Sequence, residues 1–253
     1  MTKTKKSFLE WNNDVFVSSM KKINLNIILI VILDALFYLL SGYLLILWFQ
    51  RIQARMAAFN LLTDIVSLGY ARAQQLVSDV KSFYYLIILS FILVCIAIIF
   101  LASILKGIIW VKTTKTKINF ALISKFLGLN LIWMSFWFFA VFLISWLVQP
   151  ASAPLFMAIA IILGIYFTNT LYTIFMQKQS FKSIFSAIKL NILKIHLFLL
   201  PYIIIGLLFF IIIRLGNLLK FSYSPILLGL ILLVYSAVVR YYVSALVLHA
   251  GKP

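Results

Sequence analysis

The stretch INLNIILIVILDALFYLLSGYLLILWF, residues 23–49, is almost entirely apolar and carries a single charged side chain, Asp34. A bilayer core of about 30 Å needs about 20 apolar residues in a helix, so this stretch is long enough to span a membrane. Runs of similar composition recur along the rest of the chain. We therefore predict an all-α fold: a polytopic membrane bundle of six transmembrane helices with additional amphipathic interfacial helices.

The predicted spans form a single membrane domain, residues 1–253. They lie at about 23–49, 83–105, 120–148, 155–176, 195–213 and 225–248. The first two are separated by an outer segment, residues 50–81, whose apolar positions alternate at spacings of three and four, which indicates a helix. This segment either lies flat on the membrane surface or folds into a hairpin near residues 67–69. It packs on its own membrane domain or binds a protein partner.

Composition excludes a soluble globular protein. The chain is 65% apolar and 11% charged, with a formal net charge of +17, which leaves too little polar surface to coat a soluble fold. In a soluble protein such a charge would suggest nucleic-acid binding, but these lysines and arginines cluster beside the apolar runs. We therefore predict a basic membrane protein that contacts anionic lipids at its cytoplasmic face and binds no nucleic acid.

The distribution of basic residues predicts the orientation. With the N-terminus inside, the cytoplasmic segments hold fifteen lysines and arginines and the outer segments hold six, with Arg240 set aside. Lys106 is counted here in a basic cytoplasmic connector. Because basic residues favour the cytoplasmic side, we expect both termini to be cytoplasmic in a multi-pass protein of the cell membrane.

Two basic segments predict amphipathic helices on the cytoplasmic surface. The first, residues 1–22, contains the amphipathic stretch 7–20, which begins with Ser7 and Glu10 at the spacing of a capping box. The second lies within residues 177–194 and has an apolar stripe opposite Lys182 and Lys189. The stripe consists of Phe181, Ile184, Phe185 and Ile188.

Two further patterns concern the packing of the third and fourth spans. Ala160, Gly164 and Thr168 recur every four residues, which favours close approach of a neighbouring helix. The third span is rich in aromatic residues, which we interpret as lipid-facing bulk and interface anchors; a cage for a cationic ligand is the alternative. These residues are Trp133, Phe136, Trp137, Phe138, Phe139, Phe142 and Trp146.

The chain carries no motif that indicates catalysis. HExxH, GxSxG, CxxC and P-loop patterns are all missing, and residues 80–253 contain no carboxylate. His196 and His249 flank spans without acidic or thiolate neighbours in sequence, and Cys95 is the only cysteine. We predict no catalytic residue, no cofactor and no metal site, and hence a protein that is not an enzyme.

The candidate site is a set of polar residues inside the predicted spans: Asp34, Asn130, Asn169 and Arg240. At 1.5 Å per residue they lie roughly 16, 15, 12 and 12 Å from the cytoplasmic ends of their spans. An unpaired charge in hydrocarbon costs several kcal/mol. We therefore predict that Asp34 pairs with Arg240 among the amides. The pair either holds the bundle together or forms a gate on a transport path.

A weak internal repeat accompanies these spans. A phenylalanine and an asparagine ten residues apart recur near the start of each odd-numbered span, which predicts three units of surface helix, outward span and return span. The pairs are Phe16 with Asn26, Phe120 with Asn130, and Phe181 with Asn191.

This layout, with residues 181–198 and 240–248, resembles the six-span membrane domain that is fused to some bacterial glycerophosphodiester phosphodiesterases. Similar domains stand alone in uncharacterised archaeal membrane proteins. The resemblance implies a helical membrane domain and transfers no catalytic residue. We expect a non-catalytic membrane component that interacts with lipids or with a protein; the alternative is a small transporter or channel that uses the inner-leaflet polar cluster.

Overall fold

The computed structural model describes residues 8–60, 70–219 and 222–251. These ranges form eight α-helices without a strand, so the predicted all-α fold is confirmed. The helices are α1 (Phe8–Met20), α2 (Asn26–Asn60), α3 (Tyr70–Thr114), α4 (Phe120–Leu147), α5 (Ala153–Lys178), α6 (Ser183–Leu193), α7 (Ile195–Leu218) and α8 (Ser224–Ala250).

Six of these helices are long and apolar enough to cross a membrane, as the sequence predicted. Their surfaces are covered with large exposed apolar side chains, which water would not tolerate but lipid would. The chain therefore has the architecture of a multi-pass membrane protein. The candidate spans are Asn26–Ala57, Gln74–Thr114, Phe120–Leu147, Ala153–Lys178, Ile195–Leu218 and Ser224–Ala250.

The chain divides into two compact units. The single membrane domain, residues 1–253, stays a prediction. One unit comprises Met1–Ala35 and Ser103–Pro253, and the other comprises Leu36–Ala102. The second unit contains the later part of α2 and the earlier part of α3. Within it, Trp48 Nε1 donates a hydrogen bond to Ser90 Oγ at 3.0 Å.

The outer segment predicted at 50–81 is helical wherever the structure describes it. Residues 50–60 continue α2 without a break, and residues 70–81 form the first turns of α3. Continuation of both long helices favours the hairpin over a segment lying flat on the membrane. The predicted turn at 67–69 lies outside the described residues.

The core of the first unit is centred on the later part of α5 and the last turns of α8. Helix α5 packs against α4, α6 and α8, and α8 also packs against α1 and α7. Where α7 approaches α8, Gly216 leaves no room for a side chain, because a Cβ there would lie 2.5 Å from Leu228 Cδ1. The largest fully buried side chains include Trp110, Phe126, Phe175, Phe198, Tyr241 and Leu246.

The small residues of α5 have the predicted packing role. Trp133 Nε1 of α4 donates a hydrogen bond to Thr168 Oγ1 at 2.8 Å. A Cβ on Gly164 would lie 3.7 Å from the Trp137 ring, and Ala160 is buried. The positions Ala160, Gly164 and Thr168 therefore let α4 and α5 approach closely.

The aromatic residues of α4 fall into two groups. Trp133 is buried and Trp137 is half-buried, so the lipid-facing interpretation is wrong for these two. Both rings pack where the small residues of α5 leave space for them. The others are exposed, as expected for a lipid-facing surface: Phe136, Phe138, Phe139, Phe142 and Trp146.

The short helices α1 and α6 both pack on the bundle. Helix α1 buries Val15 and Ser19, while Ser7 of the predicted capping box lies outside the described residues. On α6 the predicted stripe is divided, because Phe185 is 78% exposed whereas Ile184 packs against the core. Smaller side chains allow a closer approach to α5, and the buried face consists of Ser183, Ala187 and Asn191.

The predicted three-unit repeat is wrong. Asn26 is the first residue of α2, whereas Asn130 lies within α4 and Asn191 lies near the end of α6. Residues 115–119, all of them described, join α3 to α4 without a helix. The three asparagines therefore do not occupy equivalent positions, although Asn130 and Asn191 are both fully buried.

Candidate functional site

Asp34 and Arg240 are in direct contact inside the first unit. Arg240 Nη1 donates to Asp34 Oδ2 at 2.9 Å, and Nη2 donates to Oδ1 at 3.3 Å. The carboxylate is fully buried and Arg240 is nearly so. This two-pronged contact is the geometry that the planar guanidinium favours for a carboxylate. The pairing that the sequence predicted is therefore present.

Lys106 is the third member of this cluster, and the sequence placed it wrongly. Its Nζ lies 2.5 Å from Asp34 Oδ1, and its side chain is 14% exposed. The predicted second span ended at residue 105 because hydropathy falls at the first charge. In fact α3 continues to Thr114, because the acidic partner on α2 makes burial of the ammonium tolerable.

Three helix ends bring these charges together. Asp34 lies eight residues after the start of α2, Lys106 eight residues before the end of α3, and Arg240 ten residues before the end of α8. At 1.5 Å per residue these offsets are about 12, 12 and 15 Å. Since α2 begins where α3 and α8 end, the three side chains meet at a common level.

The cluster, named here the charge triad (Asp34, Lys106 and Arg240), carries two cations and one carboxylate. Its formal charge is therefore +1. The Arg240 guanidinium carbon also lies 5.9 Å from the centroid of the Trp110 ring, and the negative face of an indole attracts a cation at that distance. The triad ties α2, α3 and α8 together through charge-assisted hydrogen bonds.

Asn130, predicted to surround the ion pair, has different partners. Its Nδ2 donates to Ser103 Oγ at 3.0 Å, and its Oδ1 accepts from the Tyr172 hydroxyl at 2.5 Å. This set, named here the neutral network (Ser103, Asn130 and Tyr172), links α3, α4 and α5. Asn130 uses one donor and its acceptor on uncharged partners, so these contacts need no charge to be stable in a buried position.

Asn169, the fourth predicted site residue, takes part in neither set. It is half-buried, and its side chain lies beside the Tyr202 hydroxyl. Its backbone carbonyl accepts a hydrogen bond from Thr173 Oγ1 at 2.9 Å. Of the four predicted residues, Asp34 and Arg240 thus pair with each other, whereas the side chains of Asn130 and Asn169 have other neighbours.

A basic cavity, which sequence reasoning missed, lies where α5, α6 and α8 come together. It has a volume of about 580 Å³. A second, apolar cavity of about 330 Å³ is bordered by the α8 residues Leu230, Ile231, Val234 and Tyr235. The charge triad borders neither one. The basic cavity is lined by Lys22, Ile174, Gln177, Lys178, Ser186, Leu190, Val247, Leu248, His249 and Gly251.

The two histidines do not form a metal site in the described part of the chain. His249 lines the basic cavity, and its Nδ1 lies 2.8 Å from the carbonyl oxygen of Ala245. His196 is exposed and is not part of that lining. Across the described residues, no three metal-ligating side chains come together.

Comparisons of this chain with known proteins give no match. No family model, no curated protein and no solved structure matches it. The resemblance to the membrane domain of glycerophosphodiester phosphodiesterases therefore stays a prediction.

Proposed function

We propose that this protein is a non-catalytic, multi-pass component of the cell membrane that binds anionic lipids at one end of its bundle. The observation that supports this is a concentration of lysines at the ends of α3 and α5 and along α6. This surface is named here the basic end. Its lysines are Lys112, Lys115, Lys117, Lys178, Lys182, Lys189 and Lys194.

Electrostatics gives this surface a preference among lipids. A Lys or Arg near an anionic membrane surface contributes about 1 kcal/mol of attraction. The sequence has no carboxylate between residues 80 and 253, so helices α4 to α8 supply no acid to these lysines. Lipid phosphates are the counter-ions that a membrane offers at that level.

The charge triad supports a structural role more than transport. Its carboxylate is fully buried and accepts hydrogen bonds from both cations, and neither cavity described above reaches it. A transport site needs access from one side of the membrane. A small transporter or channel is the competing function, and its supporting feature is the excess cation of the triad.

Lipid preference can be measured directly on the full-length protein. The protein would be reconstituted in nanodiscs with equal parts of phosphatidylglycerol and phosphatidylcholine and then released with a mild detergent. Mass spectrometry would quantify the lipids that remain bound to it. We expect enrichment of phosphatidylglycerol at 0.1 M salt and its loss at 1 M salt, where the Debye length is about 3 Å. Equal retention of both lipids at low salt would contradict the proposal.

The proposed orientation places the basic end at the cytoplasmic face. In a background with Cys95→Ala, Ser152→Cys lies in the turn between α4 and α5, and Thr116→Cys lies between α3 and α4. We expect an impermeant thiol reagent applied to intact cells to label the first variant and not the second. The reverse pattern would place the basic end outside and remove the electrostatic argument for the inner leaflet.

A further inference from the structure

We propose that the basic cavity is a specific site for the phosphate headgroup of an anionic lipid. This inference deepens the lipid-binding function proposed above and rests on it. The cavity lies at the last turns of α5 and α8, which end at Lys178 and Ala250. A lipid whose chains lie along the bundle has its headgroup at the level where the apolar spans end.

Lys178 supplies the main cationic contact. Its Nζ lies 3.2 Å from Ser186 Oγ on α6, and Ser186 Oγ in turn donates to the carbonyl of Lys182 at 3.2 Å. The hydroxyl therefore holds the ammonium at the border of the cavity. An ammonium has three donors, and one contact to Ser186 leaves donors for phosphate oxygens.

His249 adds a second nitrogen to the lining. A backbone carbonyl only accepts hydrogen bonds, so the contact with Ala245 O places the proton of the ring on Nδ1. The other nitrogen, Nε2, is then an acceptor, which suits a hydroxyl of the phosphatidylglycerol headgroup, while the phosphate oxygens contact the lysines. Gln177 contributes an amide, and Lys22 brings a second lysine to the same lining.

The remaining walls argue for a lipid over a free phosphate ion. Ile174, Leu190, Val247 and Leu248 border the same space, and apolar walls contribute nothing to an inorganic anion. They do suit the glycerol and the first methylenes of an acyl chain. A volume of about 580 Å³ lies within the roughly 300–1,000 Å³ typical of small-molecule sites.

Charge in the lining has one sign. Among the ten described residues that form the cavity, two are lysines and none is acidic. Lys182 and Lys189 belong to the same basic end but do not border the cavity. The two cavity lysines, Lys22 and Lys178, therefore form a pair that can be compared with Lys182 and Lys189. Each pair carries two positive charges, so general attraction to anionic lipid is the same for both, and only a specific site distinguishes them.

The test compares two double variants of the full-length protein, Lys22→Gln with Lys178→Gln, and Lys182→Gln with Lys189→Gln. Native mass spectrometry in a nonionic detergent would follow the binding of phosphatidylglycerol and of phosphatidylcholine. We expect the cavity variant to weaken phosphatidylglycerol binding at least about tenfold more than the control does, since both lose two lysines of general attraction and a further contact of 1.4 kcal/mol corresponds to tenfold. Thermal melting of both variants checks that each is folded.

Soluble competitors distinguish the source of the phosphate. Inorganic phosphate and glycerol phosphate at millimolar concentration should displace bound phosphatidylglycerol only weakly, because they lack the chains that contact the apolar wall. Displacement by inorganic phosphate as effective as by lipid would replace the lipid with a free anion and overturn the proposal.

The experiment distinguishes an error in the cavity site from an error in the proposed lipid-binding function. Equal weakening by both double variants would overturn the site and leave general lipid attraction by the basic end intact. Loss of any preference for phosphatidylglycerol in the unmodified protein would overturn both. A melting temperature lowered only in the cavity variant calls for His249→Gln, which leaves the lysines in place and should still weaken binding if the site exists.

Discussion

The charge triad and the neutral network stabilise buried polar side chains in different ways. Each buries three polar side chains in an apolar bundle, and each joins three helices, α2, α3 and α8 in one case and α3, α4 and α5 in the other. In the neutral network Asn130 joins Ser103 to Tyr172 through two hydrogen bonds between uncharged groups. The triad has one carboxylate for two cations, so its members are not equivalent.

Because of this difference, the charge of the side chain that is removed matters in the charge triad, whereas no charge is involved in the neutral network. Removing either cation of the triad leaves a balanced pair, whereas removing Asp34 leaves two like charges in a low dielectric. In the neutral network any single loss leaves one or two hydrogen-bonding groups unpaired. The following predictions test that contrast.

The largest effect is expected for Asp34→Asn. This change leaves Lys106 and Arg240 facing each other without a carboxylate, and stranding a buried charge costs about 3–5 kcal/mol. We expect Lys106→Gln and Arg240→Gln to destabilise much less, because each leaves a neutral pair. Thermal or denaturant unfolding in detergent would measure the three free energies of unfolding.

The matched control for this substitution is Asp79→Asn, the same chemical change at an exposed position of α3. It should leave stability nearly unchanged. The combination of Asp34→Asn with Arg240→Gln should recover part of the loss, because coupled residues are not additive. If Asp34→Asn unfolds like the unmodified protein while a solute flux into vesicles is lost, the transport alternative replaces the structural one.

An intermediate effect is expected for Asn130→Ala. It removes the acceptor of the Tyr172 hydroxyl and the donor to Ser103, and an unsatisfied buried polar group costs about 1–3 kcal/mol. The same unfolding assay measures it, with Asn217→Ala as the control at an exposed position. A loss as large as that of Asp34→Asn would mean that charge imbalance is not what distinguishes the two regions.

The smallest effect is expected for Thr168→Val, which keeps the shape of the side chain and removes the acceptor of the Trp133 indole. The loss should be about 1 kcal/mol, the usual net value of one hydrogen bond. Thr168→Ser retains the hydroxyl and should retain most of the stability. A loss for Thr168→Ser with none for Thr168→Val would contradict this and assign the contact between α4 and α5 to packing of the methyl group.

The candidate site could be predicted only in part. Asp34 and Arg240 were identifiable because each is a lone charge within a long apolar run, and such charges need a partner. Lys106 was missed, although an apolar run that begins two residues later was a signal that the span continues: Ile108, Ile109, Trp110 and Val111. A span boundary drawn at the first charge ignores the stabilisation that a distant partner gives.

The amides illustrate a second limit. Asn130 and Asn169 share the predicted level of the ion pair, but depth along a helix says nothing about rotation around its axis. Asn130 faces Ser103 and Tyr172, and Asn169 lies beside Tyr202. The lining of the basic cavity combines residues more than 200 positions apart, such as Lys22 and His249, so no local pattern indicates it.

The sequence by itself determined the class of this protein, because apolar runs of membrane length and the satisfaction of backbone polar groups in lipid leave helices as the available fold. It also determined that small residues on α5 would meet a neighbouring helix. Only the tertiary structure decided that Lys106 joins Asp34 and Arg240 and that Asn130 faces Ser103, since these contacts depend on the rotation and pairing of the helices. Those are set by packing of side chains across the whole unit.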